Sequence, residues 1–278
     1  MVFDVKHDLR HKARLVAGGH LIDVLDNQVY SSTVKSISVQ LLHLISHQMK
    51  LEQLCGDVGN AFVNAFTKEK IYAIAGPEFG DNVKKVVILE RALYGLATSC
   101  ERWHSHFSDT LRSFGFVPTR YDRDVWIRMA DDGSHYEYIC THVDDFMIVS
   151  KAPKLIMDEL QKLYIIKSIA PPEYYLGNDY KKDTKGRFCI GCKKYVKESL
   201  IRVEGIFGSI SKCSTPMSPS DHPEEDDTDL LDAPQHKVYQ QMLGMLNWLV
   251  TIGRFDIAFA TSSLARFVAC PRKGFLID

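Results

Sequence analysis

The chain has 278 residues, 45% of them hydrophobic and 25% charged, which is the composition of an ordinary globular protein with a large core. It contains no run of about 18 apolar residues and no signal-peptide pattern, which argues against a membrane-spanning protein, and its seven cysteines lack the spacing of a disulfide framework. The formal net charge of −1 gives no sign of a nucleic-acid-binding surface.

The first predicted element is a strand in HKARLVA, where polar and apolar side chains alternate. Lys12 and Arg14 share one face of this strand, and Gly18 and Gly19 then turn the chain. A helix is predicted over residues 34–49, because apolar residues recur there at helical spacing. This stripe consists of Val34, Ile37, Leu41, Leu44 and Ile45.

Three strand candidates follow this helix. Residues 51–57 form a strand that ends at Asp57, a carboxylate that must face solvent, a cation or a cleft because burial without a partner costs several kcal/mol. Residues 71–76 and 86–95 form two further strands, which are separated by the turn-forming segment GPEFGDN.

A second helix is predicted after these strands. Thr98 and Glu101 form a capping-box pattern at its start, and Gly115 supplies a C-terminal stop. Its large apolar residues recur at about four-residue spacing, as expected for a side that packs on a core. These residues are Trp103, Phe107, Leu111 and Phe114.

The remaining segments continue the mixture of strands and helices. Residues 136–150 predict a β-hairpin with Asp144 and Asp145 at its tip. The other elements are a helix over 153–164, a hairpin within 174–196, a linker over 214–234, and helices over 239–250 and 256–268 separated by Gly253. We therefore expect an α+β fold with a polar cleft.

The small net charge hides two opposite regions. Residues 151–217 contain thirteen Lys and Arg against seven Asp and Glu, a local net charge of +6. Residues 218–236 contain seven acids and no Lys or Arg. A solvated surface beside an acidic loop explains this pattern as well as a basic functional face does. CIGC at 189–192 has metal-ligand spacing, but without a second pair we interpret it as structural.

Three acids stand out as candidates for chemistry. Asp57 ends one strand, and Asp144 and Asp145 follow 87 residues later at a hairpin tip. Clustered carboxylates bind hard divalent cations, which relieve their mutual repulsion, and two such ions can promote in-line phosphoryl transfer. A plain hairpin turn explains Asp144 and Asp145 equally well, because Asp favours turns. A metal-dependent hydrolase is a further interpretation, although no His-rich ligand set supports it.

Seven segments in order resemble the reverse transcriptase of copia-type LTR retrotransposons, from residue 2 to about residue 275. They are HKARLVAGG, DVGNAF, ALYGL followed by RWH, THVDD, YYLGNDY, STPM, and LGMLNWL with GRFDIAFATSSLARF. The resemblance implies a right-hand polymerase fold. Residues 1–50 would form the fingers, and residues 51–150 would form the palm, with a fingers insertion near 68–97. Residues 151–217 would form the thumb. Residues 218–278 would form an acidic linker followed by truncated connection helices.

The resemblance also implies the activity and its partners. The chain would be an RNA-directed DNA polymerase that uses two Mg²⁺ ions, with Mn²⁺ as an alternative, to add dNTPs to a primer on an RNA or DNA template. It would act without a membrane, in the cytoplasm or in retroelement particles, with the nucleus as an alternative. RNase H and integrase domains are expected to lie outside this chain. The alternative is a decayed remnant that folds and binds nucleic acid without polymerising.

The acids take their roles from the same resemblance. Asp57, Asp144 and Asp145 would be the catalytic metal ligands, and Val58 would add its backbone carbonyl. Lys167 is a candidate general acid for the leaving pyrophosphate, and a plain surface lysine is the alternative.

The resemblance likewise implies the nucleotide and primer contacts. Lys12 and Arg14 would clamp the triphosphate, Tyr94 and Gly95 would lie beside the incoming nucleotide, and Phe62 would exclude a 2′-hydroxyl. Each assignment has a simpler alternative. Lys12 and Arg14 could form an exposed basic strand face, and Tyr94 and Gly95 a strand end with a turn. Phe62 could be a core phenylalanine. The implied primer grip consists of Tyr174, Tyr175, Leu176 and Gly177.

Several residues depart from the family pattern. His142 stands where the family has the tyrosine before Val-Asp-Asp, and Ala97 stands where a basic residue is usual. YSSTV lacks the usual proline. Gly56 is an additional glycine before Asp57, and we expect that it could shift the strand by one residue and turn Asp57 to the other face of the sheet.

Overall fold

The computed structural model describes residues 1–5, 11–22, 29–218 and 221–276. The chain forms two compact units, Met1–Pro172 and Glu173–Asp278. Helices and sheets occur in both units, which confirms the predicted α+β class. Within the described residues, no helix has the length and hydrophobicity that crossing a membrane requires. Parts of the predicted fingers and of the acidic linker, at 6–10, 23–28 and 219–220, lie outside the described residues.

The first unit contains three helices and ten strands among its described residues. The helices are α1 (Ser36–Met49), α2 (Ser99–Ser113) and α3 (Pro153–Gln161). The strands are β1 (Val2–Val5), β2 (His11–Arg14), β3 (Glu52–Val58), β4 (Phe66–Ile74), β5 (Val86–Arg91), β6 (Val117–Pro118), β7 (Val125–Met129), β8 (Tyr136–His142), β9 (Asp145–Ser150) and β10 (Ile166–Ala170). The predicted strands and helices are thus present, with small changes of their ends.

A six-stranded antiparallel sheet organises this unit, in the order β10-β3-β9-β8-β7-β6. β1 pairs with β2 and β4 pairs with β5 in two separate hairpins. Phe146 and Ile148 of β9 join one hydrophobic core with α2 and α3 on one face of the sheet. Met147 and Val149 alternate with them and are also fully buried, so the central strand is covered on both faces.

Helix α2 packs on the core as predicted, but its start differs from the prediction. Trp103, Phe107 and Leu111 are buried, and Gly115 at φ +82° follows the helix end. The capping box at Thr98 is wrong, because its side chain makes no capping hydrogen bond. Thr98 already has a right-handed helical backbone, whereas a capping residue needs an extended one.

Helix α1 forms where predicted. Ile37, Leu41 and Leu44 of its apolar stripe are more than half exposed. Ser38 is buried and donates a hydrogen bond of 2.6 Å to Asp122. The buried side of α1 also carries apolar residues, and the contact with Ser38 supplies a donor that the buried Asp122 carboxylate requires.

The additional glycine at position 56 does not shift β3. Six successive residue pairs join β3 to β9 without interruption, and they include Gly56 with Phe146 and Asp57 with Asp145. A Cβ atom on Gly56 would lie 2.8 Å from both Phe146 and Ile166. The expected shift is therefore wrong, because the missing side chain provides the space for these two neighbours.

Gly56→Ala should destabilise the first unit by about 1–3 kcal/mol, because the added methyl group would overpack a site without free space. Urea unfolding measures this loss. Gly191→Ala is the control: it adds the same group to a strand glycine with no atom within 4 Å of the new Cβ. Equal stability of the two variants would contradict the packing role of Gly56.

The second unit combines a small sheet with three helices among its described residues. Its elements are β11 (Tyr174–Tyr175), β12 (Asn178–Lys182), β13 (Phe188–Gly191), α4 (Lys193–Phe207), α5 (Ala233–Ile252) and α6 (Ala258–Ala265). The three strands pair in sequence order, as the predicted hairpin requires. Asp232 and Gln235 form a capping box at the start of α5. Cys189 and Cys192 of CIGC are free thiols.

Candidate active site

The three predicted acids meet at one edge of the six-stranded sheet. Asp57 on β3 lies directly opposite Asp145 on β9, and Asp144 occupies the turn between β8 and β9. The backbone N–H of Val58 donates a hydrogen bond of 2.8 Å to the Asp144 carbonyl. The acids therefore form one group, although Asp57 and the hairpin are distant in sequence.

A row of four polar residues crosses the sheet at this edge. Lys167 pairs with Asp57, Asp57 with Asp145, and Asp145 with His142. Residues directly opposite one another on antiparallel strands point to the same face. A Cβ atom on Gly59 would lie 3.1 Å from Lys167 Nζ, so the lysine side chain passes over the end of β3. No pattern in the sequence indicates that Lys167 pairs with Asp57.

The charges in this group influence one another. The protein packed around the Asp145 carboxyl desolvates it, and the negative charges of Asp144 and Asp57 add repulsion, so its pKa is raised to about 6. A divalent cation would relieve this repulsion, and carboxylate oxygens are the ligands that Mg²⁺ prefers. The chemistry of the donor set therefore fits a hard cation. In the part of the chain that the structure describes, no three His, Cys, Asp or Glu side chains are already arranged around an ion position.

Arg14, Tyr94 and Phe62 form a contact series beside the acids. The Arg14 guanidinium lies 5.4 Å from the Tyr94 ring centre, and the Phe62 ring meets Tyr94 edge-to-face at 4.7 Å. Burial raises the pKa of Tyr94, and the charges of Asp144 and Asp57 raise it further. Sequence positions that are widely separated thus line one area next to the carboxylates.

Comparison with known proteins identifies the family. Residues 1–219 match the family described as reverse transcriptase (RNA-dependent DNA polymerase). The chain belongs to this reverse transcriptase family.

The relatives of this reverse transcriptase are retrotransposon proteins of the copia type. It is 28% identical over 221 residues to a transposon Ty5-1 protein of Saccharomyces cerevisiae, covering 78% of this chain and 70% of that protein. It is 28% identical to the Pol polyprotein from transposon RE1 of Arabidopsis thaliana, covering 96% of this chain and 18% of the polyprotein. It is 27% identical to the Ty1-NL2 Gag-Pol polyprotein of Saccharomyces cerevisiae, covering 99% of this chain and 16% of the polyprotein. The chain thus spans about a fifth of these polyproteins.

In this reverse transcriptase, Gly95 brings the segment after β2 against the loop that contains Tyr94. The Ala17 N–H donates a hydrogen bond of 2.8 Å to the Tyr94 carbonyl. A Cβ atom on Gly95 would lie 2.2 Å from the Ala17 carbonyl oxygen. Lys12 and Arg14 share the less exposed side of β2, with Lys12 opposite Asp4 on β1.

The predicted primer-grip residues lie in the second unit. Leu176 and Gly177, both at positive φ, form the turn between β11 and β12. A Cβ atom on Gly177 would lie 2.9 Å from Nε1 of Trp248, so glycine allows α5 to approach the turn. Tyr174 lies under the Lys194 ammonium at 4.1 Å. Tyr175 is buried.

Two residues of the site were not identified from the sequence. The apolar spacing of α2 predicts core packing for Trp103, and its indole N–H also donates a hydrogen bond of 2.6 Å to the Val143 carbonyl. Val143 itself has φ +58°. The tryptophan of the RWH segment was the available signal, but its hydrophobic spacing alone indicated only burial.

Proposed function

We propose that this chain is the polymerase core of a copia-type retrotransposon and adds deoxynucleotides to a primer 3′-hydroxyl by two-metal nucleotidyl transfer. The observation that carries the proposal is the pairing of Asp57 with Asp145 beside the Asp144 turn. The family match supports a reverse transcriptase as the reaction class.

The architecture of a right hand is part of this proposal. The six-stranded sheet with the acids would be the palm, to which the predicted thumb segment adds strand β10, and the β1–β2 and β4–β5 hairpins would belong to the fingers. The second unit would contribute the primer grip and most of the thumb. The domain borders at residues 50, 150 and 217 remain predictions from the sequence.

Asp57 and Asp144 would hold two Mg²⁺ or Mn²⁺ ions, with the Val58 carbonyl as an additional ligand and Asp145 further out. When bound, such ions activate the attacking hydroxyl and stabilise the leaving pyrophosphate. Asp145 would keep the local field negative, which favours cation binding. Lys167 would supply a proton to the leaving group from its position next to Asp57.

The nucleotide would occupy the area beside Tyr94. Arg14 would bind the triphosphate oxygens in bidentate fashion, with Lys12 as a second positive charge. Tyr94 and Gly95 would form the surface under the nucleotide. The contact between Arg14 and Tyr94 supports this assignment, because it places a guanidinium close to the acids.

Phe62 would exclude the 2′-hydroxyl of ribonucleotides. Phe62→Val should raise the ratio of ribonucleotide to deoxynucleotide incorporation by about tenfold or more, because the smaller side chain leaves room for one additional hydroxyl. Single-nucleotide incorporation with both substrates measures the ratio, which is independent of the fraction of folded protein. Phe62→Tyr retains the ring and is the control. An unchanged ratio in Phe62→Val would leave Phe62 as a core residue, in agreement with its exposure of 8%.

A template–primer duplex is the proposed partner, held by the primer grip and by the basic region 151–217. Contacts of Lys and Arg with phosphates predict binding without sequence preference that weakens as salt rises. The retrotransposon relatives support an expected location in retroelement particles. This location, like the RNA or DNA nature of the template, belongs to the proposal.

Primer extension tests the proposed function. The purified chain with poly(rA)/oligo(dT), dTTP and Mg²⁺ should extend the primer in a manner that requires the metal. Absence of extension, together with salt-sensitive binding to the same duplex, would instead support a second function, in which a decayed remnant binds nucleic acid without polymerising. One observation favours this second candidate: the Nδ1 atom of His142 is buried without a hydrogen-bond partner among the described residues. Extension gained on His142→Tyr or Ala97→Lys would then identify these positions as the cause.

A further inference from the structure

The turn at the tip of the β8–β9 hairpin has a backbone that its sequence disfavours. Val143 has φ +58°, and a β-branched residue at positive φ is an outlier. Such a conformation persists when the surrounding structure holds it in place. The contacts of the Val143–Asp144 turn therefore determine where the Asp144 carboxylate lies.

Both carbonyl groups of the turn accept a hydrogen bond from a neighbouring element. The indole N–H of Trp103 on α2 donates to the Val143 carbonyl at 2.6 Å. The backbone N–H of Val58 donates to the Asp144 carbonyl at 2.8 Å. Val58 directly follows Asp57, so this second bond ties the turn to the strand that carries the facing acid.

The indole of Trp103 is itself held in a fixed position. Its exposure is 1%. The Trp103 ring stacks on Phe107 with ring centres 5.1 Å apart and meets Tyr164 edge-to-face at 5.6 Å. The Tyr164 hydroxyl is hydrogen-bonded to Thr110 at 2.6 Å. The donor can therefore not turn away from Val143 without disturbing the core.

We propose that Trp103 is a positioning residue for the polymerase reaction. Its N–H fixes the strained turn, and the turn fixes the Asp144 carboxylate relative to Asp57. Trp103 touches neither a substrate nor an ion in this role. The inference rests on the proposed function as far as the acids act in catalysis, whereas the positioning of the turn is independent of activity.

Trp103→Phe and Trp126→Phe test the positioning with a matched pair of variants. Trp126 is also 1% exposed, but its indole N–H has no hydrogen-bond partner among the described residues. Amide hydrogen exchange of peptides that cover residues 140–148 should become about tenfold faster in Trp103→Phe, the effect expected from one lost hydrogen bond, and should stay unchanged in Trp126→Phe. No change in Trp103→Phe, or an equal change in both variants, would overturn the proposal.

Primer extension gives the functional part of the test. Trp103→Phe should lower kcat by about tenfold and leave the KM for dNTP unchanged, because the substrate contacts remain. Trp126→Phe should retain the wild-type values. Faster exchange without a loss of kcat would overturn the functional role of Trp103. If the wild-type chain does not extend primers, the proposed function fails, and the exchange comparison still decides the positioning.

A measurement on the wild-type protein covers the case in which Trp103→Phe does not fold. The chain has three tryptophans, and the variants Trp126→Phe and Trp248→Phe assign their indole signals in a ¹⁵N spectrum. The Trp103 indole proton should lie downfield of that of Trp126 and should exchange more slowly than that of Trp248, which is 38% exposed. Equal shifts for Trp103 and Trp126, or equally fast exchange for Trp103 and Trp248, would overturn the proposal.

Discussion

Asp144→Asn should abolish primer extension, with a loss of about 10³-fold or more in kcat. The asparagine side chain has nearly the same shape, but it lacks the negative charge that binds a divalent cation. Binding of Mn²⁺, followed by electron paramagnetic resonance, should weaken in the same variant. This second measurement does not depend on the activity of the protein.

The folded state should tolerate this substitution. Desolvation is the largest cause of the raised pKa of Asp145, and the negative charge of Asp144 is the second. Removing the charge relieves repulsion, so the thermal unfolding midpoint at neutral pH should not fall and the pKa of Asp145 should decrease. Asp158→Asn makes the same change on the exposed side of α3 and should leave activity intact. Wild-type extension by Asp144→Asn would contradict the proposed role of the acids.

Lys167→Met should lower kcat by about 10²-fold or more, because a positioned general acid typically contributes 10²–10⁴-fold. The dNTP KM should change little, since the proposed proton transfer occurs in the chemical step. The pH–rate profile provides a specific signature: the decrease at high pH, where a general acid loses its proton, should disappear in Lys167→Met. Steady-state extension over a pH series measures both effects.

Two further variants separate proton transfer from a loss of positive charge. Lys167→Arg retains the charge next to Asp57 but donates a proton poorly, so it should remain slow. Lys237→Met removes an exposed lysine of α5, outside the basic region 151–217, and should behave like the wild type. Full activity in Lys167→Arg would contradict the general-acid role and would indicate an electrostatic one.

Local patterns in the sequence were sufficient to predict the elements that carry the acids. The short segment before Asp57 predicted a strand, and the β-rich arms around Asp144 and Asp145 predicted a hairpin; both are present. These predictions succeed because strand propensity and the preference of Asp for turns are properties of each segment by itself. The register of β3 at Gly56 could not be predicted in this way, because it depends on the space left by Phe146 and Ile166.

Packing and local backbone conformation were less predictable from the sequence. Ile37, Leu41 and Leu44 belong to the apolar stripe that predicted α1, yet they are exposed, whereas Ser38 is buried and bonds Asp122. The capping pattern at Thr98 had the right residues but not the backbone conformation that the motif requires. A pattern of residue types along one helix does not determine which face packs inward or how the helix begins.

The sequence by itself determined the α+β class, the reverse transcriptase family and the three candidate acids. Only the tertiary structure decided that Lys167 lies beside Asp57, that Arg14 reaches Tyr94, and that the Trp103 indole N–H bonds the Val143 carbonyl. Periodicity reports the burial of residues along one element. Strand neighbours and hydrogen-bond donors instead depend on which distant segments pack together, and this choice has no local signature.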